Sequence, residues 1–308
     1  MTIPEQQLET WCNPGAGATA VATHTSIRHA LETANTSLVR GRDIEIFLQG
    51  SYRNVTNIRS DSDVDVVVLL RETYTRDTSR LGAFQQQAEL TAFLQSPAQY
   101  PFGQFRPDVL ESLRRYYGAA SVTTGNKAIK VQGRDGLLAA DVIPALVHKL
   151  YTSYGTTILT AGMTKYIEGF SFWDQTGRQI VNYPKEHITN GQSKNGIERT
   201  NGNYKPIVRM FKNARRYLVD KGLLGAATAP SYFVECLLYN VPDHLFVANR
   251  QNAMRGILEW LQTNNKVLFF CQNGQVLLFV GSTPEHWNLG DADAFIATLI
   301  WMWNNWPV

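Results

Sequence analysis

The feature that most constrains this chain is a run of apolar β-formers headed by two acids, DVDVVVLL at residues 63–70. Five consecutive Val and Leu residues, Val66 to Leu70, suit the interior of a sheet. An ionised carboxylate is excluded from such an interior unless it is paired or bound to metal. On a strand, residues i and i+2 point the same way, so Asp63 and Asp65 share one face while Val64 and Val66 pack on the other. Two carboxylates side by side repel, and one holds a proton unless a divalent cation neutralises both. Magnesium or manganese, which prefer hard oxygen donors, meet that need. Asp141, in LLAADVIPAL, repeats the anomaly, a lone acid among apolar residues on a second expected strand. One such acid is as readily a strand-end cap or half of an ion pair; three point to one metal site.

Around these acids the pattern predicts a helix over 17–36, strands at 43–50 and 64–70 on either side of a glycine turn, and two helical pieces over 76–117, broken near Pro97 and Pro101. KAIKVQGRDGLLAADVIPAL (127–146) predicts two strands around the turn Gly133-Arg134-Asp135-Gly136. The polar, glycine-bearing QSKNGIERTNGNY (192–204) predicts a loop or an ordered lid. Beyond it, helices are expected at 206–221, 231–240, 251–263 and 291–305, with one hairpin whose Asn273-Gly274 signals a type I′ turn. The first half therefore reads as mixed α/β and the second as mainly helical.

Composition narrows the functional classes. At 308 residues and 44% hydrophobic the chain can bury a substantial core. Its 29 basic and 26 acidic residues leave a formal charge of +3, short of the concentrated excess of a general nucleic-acid binder. The start, MTIPEQQLETW, has neither a basic n-region nor an apolar h-region, and no apolar run has the length of a membrane span, so a cytoplasmic protein is expected. Cys12, Cys236 and Cys271 lack metal or disulfide spacing and are expected to be buried thiols. The six histidines show no HxxxH or Cys-His spacing, and none is assigned to metal or general-base work.

Further segments fit phosphate chemistry. Gly50-Ser51 offers a backbone that a phosphate can approach and a hydroxyl to hold its oxygens, although such a pair is otherwise only a turn. In NYKPIVRMFKNARRYLVDKG, Ile207, Phe211, Ala214 and Leu218 form an apolar stripe, and Lys205, Arg209, Lys212 and Arg216 a basic one. The basic stripe is either a solvated helix face or a local positive potential that concentrates anionic substrates. Ser231, after Pro230, suits a helix N-cap.

FLQGSY followed by DSDVDVVV and later AADVIPAL resembles the pattern of polymerase-β-type nucleotidyltransferases. With LETWCNPGAG, NYPKEHI and APSYFVECLLYNVP, the chain is similar over nearly its whole length to the bacterial cGAS/DncV-like nucleotidyltransferases, and most like their E clade. The resemblance implies an α/β plus α, bilobed protein with the active site in the cleft. A nucleotidyltransferase core with an N-terminal helix would span 1–165, and a mainly helical lobe and lid 166–308. It implies a synthase that makes a cyclic dinucleotide second messenger from nucleoside triphosphates, in anti-phage signalling, with a cyclic-nucleotide-responsive effector reached through the product. No membrane and no obligatory nucleic-acid ligand are expected. Two Mg2+ ions, or Mn2+, would sit on Asp63, Asp65 and Asp141. Gly50 and Ser51 would grip the β- and γ-phosphates, Lys212 and Ser231 would assist, and Tyr232 would stack on a base, where unaided reading favours core packing. Two other readings share parts of this pattern. One is a template-independent enzyme with linear products; the other is a catalytically idle nucleic-acid sensor, against which the weak net charge speaks.

Asn182, in RQIVNYPKEHI, falls where strands of this family read the nucleobase edge. Purine-using relatives carry Ser or Thr there, and the E clade, associated with uridine-containing products, carries Asn. An amide presents an acceptor and two donors in one plane, so it can accept from uracil N3–H while donating to O4. The competing role is to shape the turn before Tyr183-Pro184. The resemblance thus implies ATP and UTP as substrates and cyclic UMP-AMP or cyclic di-UMP as product.

Overall fold

The apolar run forms a strand as expected, with Val64 and Val66 to Leu70 all buried, but it continues past the expected end at 70 through polar residues to Asp77, where pairing with the strand Ala139–Ser153 resumes after a register shift. The computed structural model describes residues 2–15, 17–58, 63–134 and 136–307; Asp135 of the expected turn lies outside the described residues. In chain order the elements are α1 (Glu5–Cys12), α2 (Ala18–Glu32), β1 (Ile44–Leu48), α3 (Gly50–Asn54), β2 (Asp63–Asp77), α4 (Ala83–Leu94), α5 (Phe102–Tyr117), β3 (Val122–Thr124), β4 (Ile129–Val131) and β5 (Ala139–Ser153). There follow β6 (Lys165–Trp173), β7 (Gln179–Asn182), α6 (Pro184–Asn195), α7 (Ile197–Thr200), α8 (Tyr204–Asp220), α9 (Ser231–Tyr239), α10 (Arg250–Thr263) and α11 (Leu289–Asn304).

The chain forms two compact units. The sheet unit comprises Gly17–Gln49 and Ser62–Tyr183. Its strand order is β1-β2-β5-β4-β3, with β6 on β5 and β7 on β6. β2 runs antiparallel to β1 and parallel to β5, and the connection between the parallel pair carries α4 and α5. The long β5 has two partners in succession on its other edge, β4 from Ala140 to Val142 and β6 from Leu146 onward. α2 packs against β2, and α5 against β5. Val67, Leu69, Ala145, Val147, Phe170, Phe172 and Ile180 form a cluster drawn from strands alone, and by the two-residue period this is the face that Asp63, Asp65 and Asp141 continue. β6 and β7 carry the sheet unit to Tyr183, so the boundary expected after residue 165 falls inside a hydrogen-bonded sheet.

The helical unit comprises Met1–Ala16, Gly50–Asp61 and Pro184–Val308. The predicted apolar stripe of α8 is fully buried and packs with Leu8, Met254, Leu258, Phe295 and Leu299. Side-chain caps start α10 and α11: Asn249 Oδ1 accepts from Asn252 N at 2.8 Å and Asn288 Oδ1 from Asp291 N at 3.1 Å. Ser231 is instead the first residue of α9; Pro230 holds the N-cap position, without a side-chain cap.

Two local expectations give way. Residues 192–204 are mostly helical, the end of α6 and all of α7, because their polar groups find internal partners. Buried Lys194 donates to Val241 O at 2.7 Å and Asp243 Oδ1 at 2.8 Å, and Asn195 Oδ1 accepts from Lys205 N at 2.9 Å. The stretch 266–280 makes a single bridge, Phe270 with Leu277, in place of a two-strand ladder. Gly274 has φ +67°, but Asn273 lacks the positive φ that a type I′ turn requires. All three cysteines are free and buried, and among the described residues no helix is long and apolar enough to cross a membrane.

Candidate active site

In the sheet unit the three acids meet through strand register. Asp65 and Asp141 are partners across the parallel β2–β5 pair, and Asp63 stands opposite Ala139. Asp63 is exposed and Asp65 half-buried, so the acids occupy the open head of a strand whose following residues are interior. On the far side of β5, Lys130 of β4 is the register partner of Asp141. Burial pushes the Asp141 carboxyl above the usual carboxylate range; Lys130 opposes this and the Asp63 charge adds to it. Among the described residues no group of three or more His, Cys, Asp or Glu side chains is placed to hold a metal ion. The donor set still fits a hard divalent cation, because carboxylates on one face, repelling one another, are relieved by shared positive charge.

β1 leads from this sheet into the Gly-Ser turn. The N–H of Gln49, the residue before Gly50, donates to Asp65 O at 2.9 Å, so Gly50 and Ser51 leave the sheet unit one covalent step from a backbone bond to Asp65. Gly50 has φ +66°, a conformation that disfavours a side chain, and it turns the chain directly into α3. Among the described residues, Gln49 Oε1 in the sheet unit and Asn57 Nδ2 in the helical unit are buried polar atoms without a hydrogen-bond partner. Each is a group that a bound polar ligand or water would satisfy.

In the helical unit the basic stripe of α8 is not a solvated face. Arg209 and Lys212 are buried, Lys212 only 1% exposed, while Arg216 pairs with Asp220 at the surface. Arg209 donates to Cys12 O at 2.6 Å and Val55 O at 2.5 Å. Lys212 Nζ donates to Thr56 O at 2.9 Å and lies 3.1 Å from Glu235 Oε1. Both cations hold the segment that follows Ser51, and the Lys212 ammonium, expected to meet a triphosphate, has protein partners on that segment and on α9. Ser231 and Tyr232 open α9, each half-buried. One face of Tyr232 is taken by the ring of His187, stacked at 5.5 Å and 24°.

Asn182 ends β7 and is half-buried, opposite Phe170. Its backbone is tightly fixed: a Cβ at Gly169 would come within 2.5 Å of Asn182 O and 2.8 Å of Tyr183 Cδ1. Only glycine permits this approach.

Sequence reading missed Glu235. It is fully enclosed on α9, and Thr56 Oγ1 (2.6 Å), Lys212 Nζ (3.1 Å), His187 Nε2 (3.3 Å) and Asn54 Nδ2 (3.4 Å) all converge on its carboxylate. Burial opposes its ionisation, but the Lys212 charge and the bonds from His187 and Thr56 outweigh that and bring its pKa down to about 2. The signal was the one that marked Asp141, a lone acid in an apolar run, here SYFVECLLY.

Comparison with known proteins agrees across the chain. Residues 30–117 match the nucleotidyltransferase domain family, and residues 189–304 the cGAS/DncV-like nucleotidyltransferase C-terminal helical domain. The cyclic nucleotide synthase CdnE01 of Staphylococcus haemolyticus is 39% identical over 99% of this chain and 100% of its own length. A cyclic UMP-AMP synthase of Rhodothermus marinus is 41% identical over 99% of both chains. A solved structure of Rhodothermus marinus CdnE c-UMP-AMP synthase with Apcpp and Upnpp superposes with a TM-score of 0.83 at 40% identity, covering 99% of this chain and 98% of that one.

Proposed function

Because the chain belongs to the cGAS/DncV-like nucleotidyltransferases and is an enzyme of the CdnE type, we propose that it joins ATP and UTP into a uridine-containing cyclic dinucleotide, cyclic UMP-AMP or cyclic di-UMP. The observation that supports the chemistry is the register of Asp65 with Asp141 within the sheet unit. The Rhodothermus relative, named a cyclic UMP-AMP synthase and solved with Apcpp and Upnpp, supports the choice of nucleotides, as does Asn182 with its planar donor and acceptor pair.

In this reading Asp63, Asp65 and Asp141 would hold two Mg2+ ions, with Mn2+ as a substitute. Such ions would polarise the phosphate and favour the alkoxide form of the attacking hydroxyl. Asp141 is assigned the proton of the incoming 3′-hydroxyl. The hydroxyl oxygen bonds to the α-phosphorus of the donor as the bond to pyrophosphate breaks, and pyrophosphate leaves. Ser51 and the Gly50 backbone hold the β- and γ-phosphates, with Ser231 assisting. Lys212 assists through the segment it holds, and Tyr232 offers a ring to the base. The linear dinucleotide then reorients, and its own hydroxyl closes the ring. The product would act on a cyclic-nucleotide-responsive effector in anti-phage signalling.

The test is mass spectrometry of the products made from all four ribonucleotides with Mg2+, repeated with each nucleotide omitted and after phosphatase treatment. A phosphatase-resistant dinucleotide that needs UTP is expected. A phosphatase-sensitive product shows a linear-chain enzyme, and equal yield without UTP removes uridine from the reading.

A further inference from the structure

We propose that Glu235 is a positioning residue for the triphosphate, a single buried carboxylate that sets the arrangement of the groups assigned to bind it. This rests on the nucleotidyltransferase reading and deepens it. Four nearby features converge on the one side chain. Thr56 and Asn54 belong to the segment that begins with Gly50 and Ser51, and both donate to Glu235. Lys212 bridges Glu235 and Thr56 O, so the acid and the lysine grip the same residue by its hydroxyl and its carbonyl. His187 donates to the second carboxylate oxygen and lays its ring on Tyr232. Glu235 is also one helical turn after Ser231 on α9, so Ser231 and the carboxylate lie on the same side of that helix.

The segment between Ser51 and Ile58 needs such a clamp. Val55 has φ +58°, a left-handed conformation that a β-branched residue adopts only when its surroundings impose it. Arg209 holds the Val55 carbonyl, and the next residue carries the two bonds to Lys212 and Glu235. An acid this deeply buried would be expelled without partners; here four of them fill its acceptor positions. Its ionised state is maintained at any pH at which the protein would work. A carboxylate that served only to neutralise Lys212 would not require the hydroxyl of Thr56 or the ring of His187.

Equilibrium binding separates positioning from mere stability. Affinities for non-hydrolysable ATP and UTP analogues with Mg2+ are measured by titration calorimetry, beside KM and kcat, for the wild type, Glu235→Gln, Thr56→Val and Thr56→Ser. Glu235→Gln is expected to weaken analogue binding about ten-fold, the scale of one good charge-assisted bond, and to raise KM in parallel while kcat at saturation changes less. Thr56→Val should lose about five-fold and Thr56→Ser, which keeps the hydroxyl, should restore it. Should Glu235→Gln fail to fold, the Thr56 pair decides by itself. Unchanged affinity, tighter binding as Lys212 is released, or a fall in kcat alone that tracks the folded fraction each overturns the positioning role. A wild type that binds neither analogue sinks the nucleotidyl-transfer reading along with it, whereas wild-type binding with indifferent variants removes Glu235 only.

Discussion

Asp63 and Asp65 head a buried strand yet keep their carboxylates at its exposed or half-buried end, whereas Glu235 lies in the interior of the helical unit with four donors around it. The same chemical group is treated in opposite ways. Asp141, crowded by burial and by Asp63, is pushed towards protonation, while Glu235, crowded by donors, is held ionised with a pKa of about 2. Burial and a like charge raise the proton affinity of the strand-head acid, whereas converging donors lower that of the enclosed one. The difference teaches that burial alone does not set an acid's charge: the more deeply buried Glu235 is the one held ionised.

The largest effect that would sharpen this contrast is on turnover. Asp63→Ala and Asp141→Ala should each reduce product formation by at least roughly 10²-fold. Because Asp63 is exposed, its variant should keep a melting temperature close to the wild type; near-normal synthesis by both variants would break the assignment.

Glu235→Gln should behave in the converse manner, showing itself in stability. It leaves the Lys212 ammonium buried without its counter-charge, a loss of about 3 kcal/mol or more, and thermal melting should fall by roughly 6 °C or more for a protein of this size. The acid side of the stability curve gives the sign. The Glu235 pKa in the fold is about 2 against an ordinary 4.5, so the stability it contributes is complete above about 4.5 and drains away as pH falls from there towards 2. Urea titrations at stepwise lower pH should show that decline in the wild type and a shallower one in the variant; parallel curves would put the acid sensitivity elsewhere.

A smaller effect, roughly ten-fold, is expected on base choice: Asn182→Ser should shift incorporation towards purines by about the value of one hydrogen bond, read from product ratios with all four nucleotides. An unchanged product mixture would return Asn182 to its role before the Tyr183-Pro184 turn. The smallest prediction concerns the clamped segment. Val55→Asn, which tolerates φ +58°, should relieve about 1 kcal/mol of strain and raise the melting temperature by roughly 2–4 °C, while a fall would mean that the valine side chain contributes packing that outweighs the strain.

Much of the fold was legible because the relevant forces are local. The valine run, the Pro97 and Pro101 breaks between α4 and α5, and the apolar stripe of α8 all follow from periodicity and chain stiffness, and they appear at the expected places. The failures occur where distant partners decide. Residues 192–204 look like a loop until Lys194 is seen to reach Val241 and Asp243. β6 goes unrecognised because its strand character comes from pairing with β5. The basic stripe on α8 could not reveal that Arg209 and Lys212 turn inward, since their acceptors, Cys12 O, Val55 O, Thr56 O and Glu235, are contributed by three other segments.

By itself the sequence determined that three acids would stand among apolar strand residues and that a glycine turn would precede two of them, because alternation and the exclusion of charge from sheet interiors act residue by residue. Only the tertiary structure decided that Asp65 would lie across from Asp141, through the parallel register of strands separated by two helices. It also decided that Glu235 would be enclosed by donors from Asn54, Thr56, His187 and Lys212. Register and enclosure are set by contacts between residues far apart in the chain, and no local propensity encodes which of them will meet.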